Sequence, residues 1–196
     1  MAFLDNNYWT ERYSSDKTGW DIGFVSPPLE QYLDQIENRE IQILIPGAGS
    51  GYEAAYAWQS GFYNLHILDF SKEPLVRFKS LNPGFPSGHI HHQNFFEHAG
   101  SYDLILEQTF FCALHPSLRE DYAKKMTRLL KPGGKLAGVW FDREFDFDGP
   151  PFGGNADEYL LLFEKYFEVK TIAPCYNSIP ERSGSELFMV LQNSKI

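Results

Sequence analysis

Two cysteines in 196 residues, Cys112 and Cys175, are too few for a disulfide framework, and a reducing cytoplasm is the compartment they lead one to expect. Basic residues are also scarce. Lys and Arg number 17 against 26 Asp and Glu, a net charge of −9, so the chain lacks the basic face that nucleic acid or an anionic membrane surface would require. No apolar run approaches the roughly 20 residues of a membrane span, and Met1 to Asn7 has neither the basic start nor the apolar core of a signal peptide. Repeats, low-complexity tracts and linkers are missing too, which leaves one domain over 1–196 with a small, neutral or cationic partner molecule, and a monomer is expected. Nucleophilic machinery is lacking as well. No Ser-His-Asp or Cys-His arrangement is evident, and His89 and His91, on one strand face, have no Cys or carboxylate at a metal-ligand spacing, so no metal is expected.

Aromatic residues are abundant, at 16%, and the stretch from Ile41 to Phe70 organises the rest. Ile41, Ile43, Leu44 and Ile45 form an apolar run of strand length that Pro46 ends, having no N–H to donate. Gly47-Ala48-Gly49-Ser50-Gly51 follows, where missing Cβ atoms permit positive φ and close approach of backbone to a ligand. Tyr52 to Ser60 reads as a helix whose unpaired N-terminal N–H groups face that ligand, and Asn64 to Phe70 as a second strand. The strand carries Asp69 near its end, about 20 residues beyond the turn, placed to accept bonds from both hydroxyls of an adenosine ribose. The dinucleotide pattern G-x-G-x-x-G needs glycine at position 52, where Tyr52 stands; without a diphosphate to cradle, S-adenosylmethionine (SAM) is favoured over NAD.

Around this unit, residues 1–28 form an aromatic arm, with Tyr8, Trp9, Tyr13 and Trp20, expected as a lid whose π faces cover a cation such as a sulfonium. Leu29, Leu33 and Ile36 have helical spacing. After Asp69, Ser71 is placed as an N-cap and Leu75, Val76 and Phe78 as the buried side of a helix. A short strand over His89 to Gln93 runs into Asn94 and Phe95, which suit the edge and face of an adenine. Tyr102 to Leu106 is a strand, and Glu107-Gln108-Thr109 lies at its C-terminal end, where open parallel sheets bind ligands. One or two residues of Phe110 to Leu114 should line a substrate pocket. A helix is expected over Pro116 to Leu130, a strand over Lys135 to Phe141, a mobile loop or substrate lid over Asp142 to Gly154, a helix from Asn155 to about Phe167, and strands over Val169 to Cys175 and Glu186 to Gln192. The last two have no helix between them and should pair antiparallel. The fold class is therefore α/β, a Rossmann-like doubly wound sheet, mostly parallel with a C-terminal antiparallel strand and helices on both faces.

W-x-x-x-Y and T-G-W-D in the arm, P-G-A-G-S-G with Asp69, N-F-F, T-F-F-C-A-L, L-K-P-G-G and G-P-P-F occur in this order across nearly the whole chain. In that combination the sequence resembles the thiopurine S-methyltransferase family, including the plant halide/thiol methyltransferases, within the class I SAM-dependent enzymes. The resemblance implies a cofactor site of Trp9, Tyr13, Trp20, Gly47, Gly49, Asp69, Asn94, Phe95 and Gln108. It implies an acceptor site built from Trp20, Phe110, Phe111, Arg119, Pro151 and Phe152. The plant enzymes typically carry aspartate and tyrosine where this chain has Glu107 and Gln108, and tryptophan where it has Tyr13. Methyl transfer to a small thiol or thiopurine, with S-adenosylhomocysteine (SAH) as product, is the expected reaction. It would proceed by in-line displacement relying on positioning and desolvation, with no acid–base residue. A halide, hydrosulfide or selenide acceptor, or a SAM/SAH binder without catalysis, are the alternatives.

Overall fold

The computed structural model describes residues 6–15 and 17–194, so residues 1–5 and 16 of the expected arm lie outside the described residues. Its centre is a seven-stranded sheet: β1 (Ile43–Pro46), β2 (Leu65–Asp69), β3 (Ile90–His92), β4 (Tyr102–Gln108), β5 (Leu130–Phe141), β6 (Glu168–Pro174) and β7 (Glu186–Gln192), in the spatial order β3-β2-β1-β4-β5-β7-β6. Strands β3 to β5 in that order pair parallel, and β7 runs antiparallel to both β5 and β6. This is the doubly wound sheet expected from the sequence.

Alternation along β1 sends side chains to both faces, because successive Cβ atoms of a strand point in opposite directions. Ile43 and Ile45 join a core with α2 (Pro27–Asp34), α3 (Tyr52–Gln59) and α4 (Lys72–Leu81), through Leu29, Leu33, Ala54, Ala57, Leu75 and Phe78. Leu44 joins a second core with α5 (Arg119–Leu129) and α6 (Ala156–Phe163), through Tyr122, Met126, Tyr159 and Phe163. Strand β1 sits between β2 and β4, so the crossovers leave it in opposite directions, and a crevice opens beyond the carboxyl ends of the strands.

Several details depart from the sequence reading, among them the start of β5 at Leu130 and the end of α6 at Phe163. Pro116–Leu118 forms a separate 3-10 turn, and α5 begins only at Arg119. Strand β4 continues through Glu107 and Gln108, and β3 is only three residues long, preceded by a 3-10 turn over Ser87–His89. Val76 is 57% exposed, since α4 turns Leu75 and Phe78 to the sheet and leaves Val76 facing water. Ser71 occupies the N-cap of α4, but its hydroxyl caps nothing; Asp69 Oδ1 takes its N–H instead, at 2.8 Å. Residues Asn6–Ser14 form a further helix, α1.

A histidine ladder stitches the β2/β3 edge. His66 Nδ1 and His91 Nε2 are 2.9 Å apart with ring centroids at 5.2 Å and planes within 12°, which puts the two nitrogens in line and requires one of them to be unprotonated. His89 stacks on His66 at 4.1 Å. His98 accepts from Gln93 at Nδ1 and so donates from Nε2 to Tyr102, at 2.8 Å. Burial, followed by neighbouring imidazoles, pushes His66 and His98 down to about 4 from 6.5, and lowers His91. A base whose folded value is depressed favours its neutral form, so the stability it contributes is complete above about 6.5 and is lost as pH falls toward about 4. The melting temperature should therefore drop most steeply between those values, and less steeply in His66→Phe. Equal slopes in the two proteins would remove the ladder as the cause.

Candidate active site

The turn after β1 has the backbone that its glycines allow. Gly47 and Gly49 have φ of 60° and 52°, in the left-handed region where a side chain is strained. A Cβ at Gly47 would run into the Phe110 ring, and one at Gly49 would lie 3.0 Å from the Tyr13 hydroxyl. The turn is tied to the end of β2: Asp69 Oδ2 accepts the Gly49 N–H at 2.8 Å while Oδ1 accepts that of Ser71. Asp69 is 6% exposed, and burial raises its pKa against the pull of those backbone donors.

A cavity of about 640 Å³ opens in front of the turn. One side is the arm: Trp9 and Tyr13 from α1 meet the Trp20 ring edge-on, each at 5.6 Å between centroids. Burial, then the charge of Asp69, pushes the Tyr13 hydroxyl pKa up. Two ties hold the Trp20 segment, one from Ser50 Oγ to Asp21 Oδ2 (2.5 Å) and one from Arg182 Nη2 to the Trp20 carbonyl (2.9 Å). Gly47 to Ser50, Asp69, Asn94 and Phe95 also line the cavity. Gln108, Thr109, Phe110, Cys112, Leu114, Pro150 and Pro151 complete the lining described here.

Every residue expected at the cofactor site lines this cavity: Trp9, Tyr13, Trp20, Gly47, Gly49, Asp69, Asn94, Phe95 and Gln108. The expected acceptor residues divide. Trp20, Phe110 and Pro151 line it, whereas Phe111, Arg119 and Phe152 are not among the lining residues. Phe111 is 1% exposed and packs on Tyr122, Tyr159 and Phe163 in the core. Arg119 Nη2 donates to the Gly153 carbonyl at 2.5 Å and its guanidinium lies over the Phe111 ring. The Phe152 ring meets His115 edge-on at 5.6 Å, and its N–H donates to the Cys112 carbonyl at 2.7 Å, which pins the late loop beside the cavity.

Sequence reasoning missed two carboxylates that line the cavity, Asp21 and Glu53. Glu53, 8% exposed, accepts the Ser26 N–H at 3.0 Å, and burial raises its pKa. In the sequence it is an ordinary acid in the first turn of a helix, and Asp21 is the last residue of T-G-W-D; only the tertiary approach of the arm brings them together. Asp21, Glu53 and Asp69 give the cavity an acidic lining, and no Lys or Arg is among the residues lining it.

These features fit an adenosyl sulfonium carrying an amino acid. A glycine turn gives close backbone approach, a buried carboxylate retains lone pairs for a ribose, and aromatic faces and acids suit a cation. Fold and cavity together define the class I SAM-dependent methyltransferase architecture. The model of the family described as thiopurine S-methyltransferase (TPMT) matches residues 4–188, and the chain belongs to that family. It is a methyltransferase whose methyl donor is SAM. It is 30% identical over 192 residues to the Arabidopsis thaliana protein named "Probable thiol methyltransferase 2", covering 95% of this chain and 84% of the relative. It is 26% identical to "Thiocyanate methyltransferase 1" of the same plant, covering 93% and 83%. Among solved structures, the Burkholderia thailandensis 1,6-didemethyltoxoflavin-N1-methyltransferase, determined with its substrate and SAH, superposes with a TM-score of 0.78 at 18% identity, covering 97% of this chain and 87% of that one. At that identity the likeness speaks for the fold.

Proposed function

We propose that the protein transfers a methyl group from SAM to a small thiol or thiopurine. The observation that carries this reading is a cavity whose lining combines Asp21, Glu53, Asp69 and the glycine turn with the apolar side chains of Phe110, Leu114, Pro150 and Pro151. SAM, when bound, supplies a methyl group already activated by its positive sulfonium. The residues of the chain then have three tasks. Asp69 fixes the ribose, Asn94 and Phe95 take the adenine, and Asp21 and Glu53 suit the ammonium of the amino-acid end. The apolar wall strips water from the acceptor sulfur and aims it, and an oriented, desolvated thiolate needs no further activation. A thiol has a few per cent thiolate near neutral pH, so acid–base assistance is unnecessary. Cys112 is a wall residue in this account, its thiol pKa pushed up by burial, which makes it a poor nucleophile. Incubation with SAM and a panel of thiols, a thiopurine, selenide and halides should yield SAH with the sulfur compounds. SAM binding without SAH formation from any of them would point instead to a binder that has lost catalysis.

The described part of the arm, with Trp9, Tyr13 and Trp20, acts in this reading as a lid over the sulfonium. Trp9 and Tyr13 belong to a short helix whose cavity side is aromatic, and bound cofactor would add a cationic partner to those rings. Tryptic cleavage at Arg12 and Lys17 should slow by about tenfold or more at saturating SAH, because ligand binding opposes local opening. Equal rates with and without SAH would show an arm indifferent to the cofactor.

A further inference from the structure

Glu107 lies near the end of β4 with no exposed surface, and each of its partners is a neutral donor. Its Oε1 accepts the N–H groups of Phe110 (2.9 Å) and Phe111 (2.8 Å), and Oε2 accepts the Tyr122 hydroxyl at 2.6 Å. A carboxylate satisfies all three. A neutral acid would bring a fourth proton into a ring of donors; if Tyr122 turned to accept it, the tyrosine's own hydrogen would lose its acceptor in a fully buried place.

The clamp closes residues 107–111 into a turn in which Thr109 has φ of 58°, a conformation costly for a β-branched residue and held only by its surroundings. Both ends of the cavity depend on this turn. The Phe110 ring fills the space above Gly47 in the glycine turn, while Thr109 and Cys112 line the acceptor end. We propose that Glu107, as a carboxylate, is a positioning residue that sets the acceptor wall and the glycine turn together, and that its protonation loosens both. The acceptor half of this statement rests on the methyl-transfer reading above; the cofactor half does not.

Burial pushes Glu107 up to about 7 despite its three donors, so the switch falls near neutral pH. The titratable groups packed around it are Tyr122 from α5, Cys112 from the turn, and Glu186 from β7. Tyr122 and Cys112 are raised by burial and remain neutral there. Glu186 is also raised, by burial, and has Arg182 at 3.5 Å. Among the carboxylates packed beside Glu107 it is the competitor and serves as the control; Asp69 and Glu53, also raised by burial, are common to the wild type and the Glu107→Gln variant and cancel in their ratio.

The test compares SAH affinity of the wild type with that of Glu107→Gln from pH 5.5 to 8.5, and kcat/KM for one thiol alongside. Glutamine keeps the two N–H acceptances but cannot accept from Tyr122 at its nitrogen, so it imitates the protonated state. The wild type should bind SAH about tenfold more tightly than the variant at pH 8, the loss expected for one hydrogen bond to a charged group. That ratio should shrink toward one by pH 5.5 with a midpoint near 7, and the kcat/KM ratio, in which the thiol's own ionisation cancels, should follow it. Glu186→Gln should keep the wild-type pH dependence. A ratio independent of pH, or a limb that disappears in Glu186→Gln, would overturn the proposal. Should Glu107→Gln fail to fold, Tyr122→Phe removes one donor from the anion and should move the wild-type midpoint upward; an unmoved midpoint would overturn it equally. Failure of the wild type to turn over any thiol would remove the methyl-acceptor reading and leave the SAH ratio standing as the test.

Discussion

Asp69→Ala should weaken SAH binding by about 100-fold, roughly 2.7 kcal/mol. Two contributions add. The first is loss of charge-assisted bonds to the ribose hydroxyls, each on the order of 1.5–3 kcal/mol before the cost of repairing the site. The second lies within the protein, where the carboxylate receives the N–H of Gly49 and that of Ser71 at 2.8 Å each. With alanine in place, two amide groups in a buried position lose their acceptor, and the glycine turn is no longer tied to β2. Asp69→Asn keeps one acceptor and should fall between the two proteins. Calorimetry on the folded variants separates this from global destabilisation. Unchanged affinity in Asp69→Ala would remove the carboxylate from the cofactor site.

The second large effect concerns the acceptor. For a thiol such as thiophenol, or a thiopurine, kcat/KM should exceed that for iodide by at least about 100-fold, again roughly 2.7 kcal/mol of differential transition-state stabilisation. The cavity explains why. Its charged lining residues are Asp21, Glu53 and Asp69, and a bare anion entering it meets no lysine or arginine. A halide must shed hydration and needs donors in return, whereas a thiolate, drawn from the few per cent already ionised in solution, carries an apolar body that it can bury against Phe110, Leu114 and the two prolines at about 25 cal/mol per Å². A relative named for thiocyanate makes this a sharp comparison, and residue 108 is where it should be resolved. Gln108→Tyr offers a hydroxyl donor to an anion and should raise iodide turnover; equal kcat/KM for iodide and the best thiol in the unaltered protein would contradict the assignment.

The nucleotide-binding half of the site was readable from the sequence because its signals are local. An apolar run, a turn that only glycines can make, a helix, and a strand carrying an acid all lie within Ile41 to Phe70, and the elements found there differ from expectation by two residues or fewer. The antiparallel β6/β7 hairpin followed from the lack of a crossover between its strands. The acceptor half was less legible. Phe110 and Phe111 are adjacent and chemically alike, and what sends one to the cavity and the other to the core is the turn clamped by Glu107 and Tyr122, partners 15 residues apart. Arg119 is expected at the acceptor site from the family resemblance; its carbonyl partner at Gly153, 34 residues away, has no signature in the sequence. Asp21 meets Ser50 across 29 residues, a contact that the spacing of neither motif announces.

The proposed reaction passes a methyl group from SAM to sulfur in this cavity. Its most direct test follows the methyl carbon itself: carbon-13 NMR of SAM labelled in the methyl group, incubated with the protein and thiophenol. The account predicts that the sulfonium methyl resonance disappears as an S-methyl thioether resonance grows in equal amount, with SAH as the only other product. A methyl signal that stays on the sulfonium while SAH still binds the protein would contradict it.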